Sequence, residues 1–167
     1  GNEPTTQTVN IDDVIDQAIS LLEPSAEQLD IQLCSEPCAN IEANIDVGKA
    51  LQVLTNLITN AMQSIGYGGI VRVGCSLEYV DSPKDKHARE GEYVCMYVED
   101  NGQGIAEDQQ KKIFEAFYTT KGPEQGTGLG LSVCQSIVRE HDGFIDVSSR
   151  ADRGARFSVY LPAEGGS

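Results

Sequence analysis

The stretch from Val47 to Ile65 constrains this chain most, because it can be written as one helix with two chemically distinct sides. At about 100° per residue, Val47, Leu51, Leu54, Ile58, Ala61 and Ile65 form a broad apolar face, with Asp46 ahead of it as an N-cap. Lys49, Gln52, Asn56, Thr59, Asn60 and Gln63 fall within about 60° of one line on the opposite side. The apolar face must be covered by another layer. The polar stripe carries one charge among its six residues, whereas solvated stripes favour Glu and Lys. Uncharged amides suit a ligand or metal that must be met without added negative charge; a face turned to water accounts for the same residues.

The flanking sequence supplies the other layers. Ile11, Val14, Ile15, Ala18, Ile19 and Leu22 recur at helical spacing behind Asn10 and predict a helix from Ile11 to about Gln28, interrupted near Pro24. Ile31 to Cys34 and Asn40 to Ile45 read as short strands flanking a turn at Glu36-Pro37. Ile70 to Val80 and Glu92 to Glu99 read as longer strands about a polar loop, in which His87 lies among Lys84, Lys86 and Arg89 as a solvated residue. Ile105 to Ala116 predicts a short helix, Phe117 to Gln125 a loop, and Phe144 to Ser149 with Ala155 to Leu161 two closing strands. Without a repeat or linker, residues 1–167 are expected to form one α/β domain with its core between about 9 and 162.

Two glycine-bearing stretches stand out. Gly126-Thr127-Gly128-Leu129-Gly130-Leu131-Ser132 runs into a helix beginning near Leu129 and ending at His141, with Gly143 as its stop. Alternate glycines leave backbone N–H groups uncovered, and a helix N-terminus adds unpaired donors, so the stretch could seat a phosphate; a glycine-rich loop before a surface helix explains it equally. It matches neither a dinucleotide fingerprint nor a Walker loop, since Leu131 stands where a glycine is needed and no lysine follows. Asp100-Asn101-Gly102-Gln103-Gly104-Ile105 places a carboxylate at a strand end before a sharp turn that a planar ligand could approach. An Asp-Asn turn is the plainer alternative.

Charge narrows the partners. With 12 Lys+Arg against 26 Asp+Glu the net charge is -14, which argues against nucleic acid and against direct contact with an anionic membrane. Five cysteines form no evident framework: Cys75, Cys95 and Cys134 read as small buried hydrophobes, and Cys34 with Cys38 lacks the further ligands of a metal site. A reduced, cytoplasmic setting is expected, in a parent that could carry a membrane anchor upstream.

Four stretches share one further property, their order. Leu54-Thr55-Asn56-Leu57-Ile58-Thr59-Asn60-Ala61, Asp100-Asn101-Gly102-Gln103-Gly104, Ile113-Phe114-Glu115-Ala116-Phe117-Tyr118-Thr119-Thr120-Lys121 and Gly126-Thr127-Gly128-Leu129-Gly130-Leu131 resemble, in sequence and spacing, the N, first glycine, F and second glycine boxes of one family. The chain resembles the catalytic, ATP-binding domain of two-component sensor histidine kinases, whose superfamily (GHKL) includes gyrase B, the ninety-kilodalton heat-shock chaperones and MutL. The resemblance runs from about Val9 to Pro162 and implies a two-layer α/β sandwich, the Bergerat ATP-binding fold. There a mixed β-sheet is covered on one face by helices, with ATP among them under a mobile lid.

The resemblance also implies roles. Asp100 accepts the exocyclic amine of adenine, and Gly102 and Gly104 let the backbone approach the ring. Asn60 ligates Mg²⁺ through its amide oxygen, and Asn56 lines the phosphate side one turn earlier. Lys121 meets the triphosphate, and the backbone from Gly126 through Thr127, Gly128, Leu129 and Gly130 to Leu131 donates N–H groups to it. Gln63, Ile105, Phe117 and Thr120 complete the implied cofactor-binding set, with Phe114 and Phe117 anchoring the lid. Gln63 and Ser64 depart from the lysine and aromatic that many relatives carry.

In superfamily members that hydrolyse ATP efficiently, a glutamate that activates water stands where this chain has Asn56. An amide cannot take that proton, so transfer to a presented nucleophile is implied, with Asn56 and Lys121 as the catalytic pair. In the family the acceptor is a histidine on a separate helical hairpin domain, and a response regulator receives the phosphoryl group next. Neither His87 nor His141 lies in such an acceptor motif, so the chain is expected to be part of a longer kinase. A stand-alone ATPase and a degenerate nucleotide-binding module are the alternatives.

Overall fold

The computed structural model describes residues 5–36, 38, 40–81, 83, 88–102, 130–148 and 154–163, with 149 and 150 as backbone. Strand β1 (Gln7–Asn10) leads directly into α1 (Ile11–Gln28), followed by β2 (Ile31–Ser35), β3 (Glu42–Ile45), α2 (Val47–Ile65), β4 (Gly69–Val80) and β5 (Gly91–Asp100). After the second glycine stretch come α3 (Gly130–Glu140), β6 (Phe144–Arg150) and β7 (Gly154–Pro162). The five-stranded sheet has the order β2-β4-β5-β7-β6; β2 runs parallel to β4 and the other neighbours are antiparallel. This is the mixed sheet expected of the family. The helix predicted from Ile105 to Ala116, the loop from Phe117 to Gln125 and His87 lie outside the described residues.

The helices form where local chemistry starts them. The Asn10 side chain accepts from Asp12 N at 2.9 Å and caps α1, and Asp46 Oδ1 accepts from Lys49 N at 3.2 Å and caps α2. Both helices press apolar residues onto one face of the sheet. Ile11, Ile15, Leu54, Leu57, Ile58, Val71, Val73, Met96 and Phe157 are all but inaccessible in the shared core. The buried side of α2 is shifted from its sequence face: Ala50, Val53, Leu57 and Met62 are buried with Leu54, Ile58 and Ala61, whereas Val47, Leu51 and Ile65 are only partly covered. Alternation along β5 sends Val94, Met96, Val98 and Asp100 to the helical side.

Three expectations are corrected. Helix α1 passes through Pro24 without interruption; Pro24 and Ser20, whose carbonyl loses its donor there, both lie on the exposed side, where water can serve that carbonyl. The sequence marks no strand ahead of α1, yet β1 is a four-residue strand that pairs with β3, while β2 joins β4. Cys75 is not an isolated small hydrophobe. It is joined by a disulfide to Cys38 with 5.2 Å between their Cα atoms, so the expectation of uniformly reduced cysteines fails for this pair. The chain after β2 folds back on β4, with Glu36 N donating to Val73 O at 2.8 Å and Cys38 N to Asp12 Oδ1 at 3.0 Å.

Candidate functional site

The carboxyl end of β5 meets the carboxyl end of α2. Asp100, the last residue of β5, is 5% exposed and is the one buried polar or charged residue among those described. Its Oδ1 accepts from Gly102 N at 2.8 Å, which closes the turn after the strand. The plainer Asp-Asn turn is therefore present, yet surface turns do not require a buried carboxylate. Two neighbours fix this turn in place. Asn101 Oδ1 accepts from Ile70 N at 3.0 Å, tying it to the start of β4. Gly154, at φ +92°, lies so close beneath it that a Cβ would collide with the Asp100 carbonyl oxygen.

Gly102 faces α2 as closely. A Cβ on Gly102 would stand 2.8 Å from Ser64 Oγ and 3.1 Å from the Ser64 carbonyl carbon. Only a glycine lets the turn approach the last turn of the helix; this is a packing reason for Gly102, different from the ligand approach that the sequence suggested.

Helix α3 is antiparallel to α2. At one end Asp46 N donates to His141 Nε2 at 3.1 Å, and Lys49 Nζ pairs with Glu140 Oε2 at 2.7 Å. Further along, the Cys134 thiol donates to Val53 O at 3.8 Å. Burial pushes that thiol up to about 11. Both helices rise by about 1.5 Å per residue, so the same register sets Gly130, the first residue of α3, level with Thr59 and Asn60. The partial positive charge of a helix N-terminus, with no acidic residue in its first turn, offsets the acidic composition locally.

The polar stripe of α2 therefore divides. Lys49, at the far end, pairs with Glu140 about 22 Å along the helix from Ser64. Asn56, Thr59 and Asn60 are half-buried, and Gln63 is exposed on the last turn. Of the residues implied by the resemblance, Asn56, Asn60, Gln63, Asp100, Gly102, Gly130 and Leu131 gather on these three elements. Gly104, Ile105, Phe117, Thr120, Lys121, Gly126, Thr127, Gly128 and Leu129 lie outside the described residues.

The sequence reading missed the supports. His141 follows the last residue of α3, and its Nδ1 bonds Ile137 O at 2.9 Å. Its Nε2 also accepts from the backbone N–H of the N-cap residue of α2, so Nδ1 is the donor to Ile137 O. Asn101, Cys134 and Gly154 act through partners distant in sequence, and no local pattern marks them.

A family model described as "Histidine kinase-, DNA gyrase B-, and HSP90-like ATPase" matches residues 45–165, from the end of β3 past β7. The chain belongs to this ATPase family. Its sequence is 39% identical over 161 residues to the sensor histidine kinase ZraS of Salmonella typhimurium, spanning 95% of this chain and 31% of that protein. The chain thus corresponds to about a third of that relative. Its structure is similar to the catalytic domain of histidine kinase ThkA, with a TM-score of 0.78 and 30% identity over 96% of this chain and 97% of that one. It is similar also to histidine kinase ThkA in complex with the response regulator protein TrrA, with a TM-score of 0.75 and 26% identity over 96% of this chain and 42% of that one. Membership of this ATPase family implies ATP binding, and the expected α/β sandwich is present.

Proposed function

We propose that this chain is the ATP-binding catalytic domain of a sensor histidine kinase, positioning Mg-ATP for transfer of its γ-phosphoryl group to a histidine on a separate dimerisation domain. The response regulator that then receives the group is, by analogy with the ThkA–TrrA pair, a receiver domain. The observation that carries this reading is the convergence of Asp100, Gly102 and the Asn60 turn of α2 at one end of the fold, beside the N-terminus of α3.

Each described group has work to do there. The Asp100 carboxylate accepts from the amine of adenine, and a guanine would set a carbonyl against it. Gly102 keeps the space over the turn free of side chains. The N–H groups at Gly130 and Leu131 meet phosphate oxygens. Asn60 fits Mg²⁺: its half-buried amide oxygen is a hard neutral donor, and a cation held mostly by phosphates and water needs only one or two such protein ligands. The metal would screen the charge of the phosphates; the chain's part is to fix where it sits. Asn56, an amide, takes no proton from water, so attack by a presented nucleophile is favoured over hydrolysis. Lys121 supplies a further cation to the triphosphate, and the working compartment is the cytoplasm, where ATP is available.

The test supplies a histidine-bearing dimerisation domain in trans with γ-labelled ATP. Label on the histidine, lost in Asn60→Ala, is the expected result. Steady phosphate release by the chain alone, lost in the same variant, would assign it to stand-alone ATPases.

A further inference from the structure

Three consecutive residues at the end of β5 each meet a different element. Gly154 of β7 packs beneath Asp100, where a Cβ would stand 2.0 Å from the Asp100 carbonyl oxygen. Gly102 N donates to Asp100 Oδ1 at 2.8 Å, and a Cβ on Gly102 would stand 2.8 Å from Ser64 Oγ of α2. Asn101, between them, reaches β4. The β4–β5 ladder ends at the pair Val71–Asp100, and one position further on the Asn101 side-chain oxygen accepts from Ile70 N at 3.0 Å. The strand N–H thus keeps a partner while the backbone of β5 leaves the sheet. Gly69 makes room for that side chain: a Cβ there would stand 2.8 Å from Asn101 Oδ1 and 2.7 Å from Ile65 Cγ2 at the end of α2.

We propose that Asn101 is a positioning residue for base selection: its hydrogen bond to Ile70 N holds the turn so that the Asp100 carboxylate meets the adenine amine. The inference rests on the proposed nucleotide site. The hydrogen bond from Gly102 N orients the carboxylate within the turn, but both of its ends belong to the turn. The contacts at Gly154 and Gly102 limit how closely the turn can approach β7 and α2. The Asn101 hydrogen bond draws it to the sheet. Asn101 is exposed and lies outside the core, so its removal frees the turn without opening the fold. The phosphate and metal groups stand on α2 and α3, so a displaced turn weakens ATP binding more than GTP binding.

The experiment compares wild type, Asn101→Ala, Asn101→Asp and Asp100→Asn by titration with Mg-ATP and Mg-GTP, and by amide hydrogen exchange at Ile70. Asn101→Ala is expected to speed exchange at Ile70 and to lower the ratio of ATP to GTP affinity by about 2- to 10-fold, the value of one neutral hydrogen bond. Asn101→Asp keeps an acceptor in the same place. Its ratio and its protection at Ile70 should stay within about twofold of wild type, since the added charge acts on both nucleotides alike. A ratio unchanged in Asn101→Ala but lost in Asp100→Asn overturns the proposal and leaves the nucleotide site intact. An equal fall in the alanine and aspartate variants overturns it too, as does unchanged exchange at Ile70 in Asn101→Ala. ATP affinity unchanged in Asp100→Asn removes Asp100 from the base site, and the inference falls together with that assignment.

Discussion

Gly102 and Ser64 approach each other so closely that one added carbon on the glycine would sit 2.8 Å from the serine Oγ. The contact joins the turn after β5 to the last turn of α2, two elements that meet only through the tertiary fold. Gly102→Ala should force that turn away from the helix and weaken ATP binding by at least about tenfold, the cost of displacing a positioned polar contact. Calorimetry on a variant with a native circular dichroism spectrum measures it. In Ser64→Ala/Gly102→Ala the hydroxyl is gone, but Asp100 Oδ1 at 3.0 Å and the Ser64 backbone carbon at 3.1 Å remain, so recovery should be partial.

Gly154 is a different case, since its φ of +92° and its contact with the Asp100 carbonyl make it a requirement of folding. Gly154→Ala is expected to cost about 1–3 kcal/mol from backbone strain alone. The midpoint of urea denaturation reports it, and an unchanged midpoint would mean that β7 starts elsewhere.

The junction of α2 and α3 should be sensitive to acid. Asp46 is held below the usual carboxylate range, chiefly by the Lys49 N–H, and Glu140 is held low by the Lys49 side chain. A carboxylate whose folded pKa is depressed adds stability above its unfolded pKa of about 4, and that stability is lost as pH falls through the lower folded value. Melting temperature should therefore fall below pH 4 more steeply in wild type than in Asp46→Asn, which keeps a capping side chain without a titrating group. Asp46→Ala should cost about 1 kcal/mol at neutral pH through loss of the cap.

The cysteines predict a count. Cys34 is half-exposed, whereas burial pushes the thiols of Cys95 and Cys134 up to about 12 and about 11, and Cys38 is bonded to Cys75. A thiol reagent at neutral pH, added without reductant, should label Cys34 alone in the folded chain. Labelling of all five after reduction and unfolding gives the reference. Native labelling at Cys75 would contradict the pairing.

What could be read in the sequence was what neighbours along the chain decide. The Asn10 and Asp46 caps, the bounds of α2, the antiparallel pair β4–β5 and the carboxylate at the end of β5 depend on residues within a few positions of one another. Strand β1 was illegible because it has only four residues and its partner, β3, lies beyond a helix and another strand. Pro24 misled because local rules forbid what an exposed helix face with a buried Ala26 beyond it tolerates. Lys49 belonged to the polar stripe by angle, but position along the helix, not angle, decides which partner it meets. The supports of the site, His141, Asn101, Gly154 and Cys134, carry no local signature, since each acts on a residue that only the fold brings near.

Asp100 carries the central claim. A charged hydrogen bond from its carboxylate to the adenine amine is worth about 1.5–3 kcal/mol, or about 10- to 150-fold in affinity. The decisive measurement is calorimetric titration of wild type and Asp100→Asn with Mg-ATP and Mg-GTP. Wild type should bind ATP, bind GTP at least about tenfold more weakly, and lose at least about tenfold of its ATP affinity in Asp100→Asn. Equal affinity of both proteins for ATP, or equal affinity of wild type for the two nucleotides, would contradict the assignment of the site.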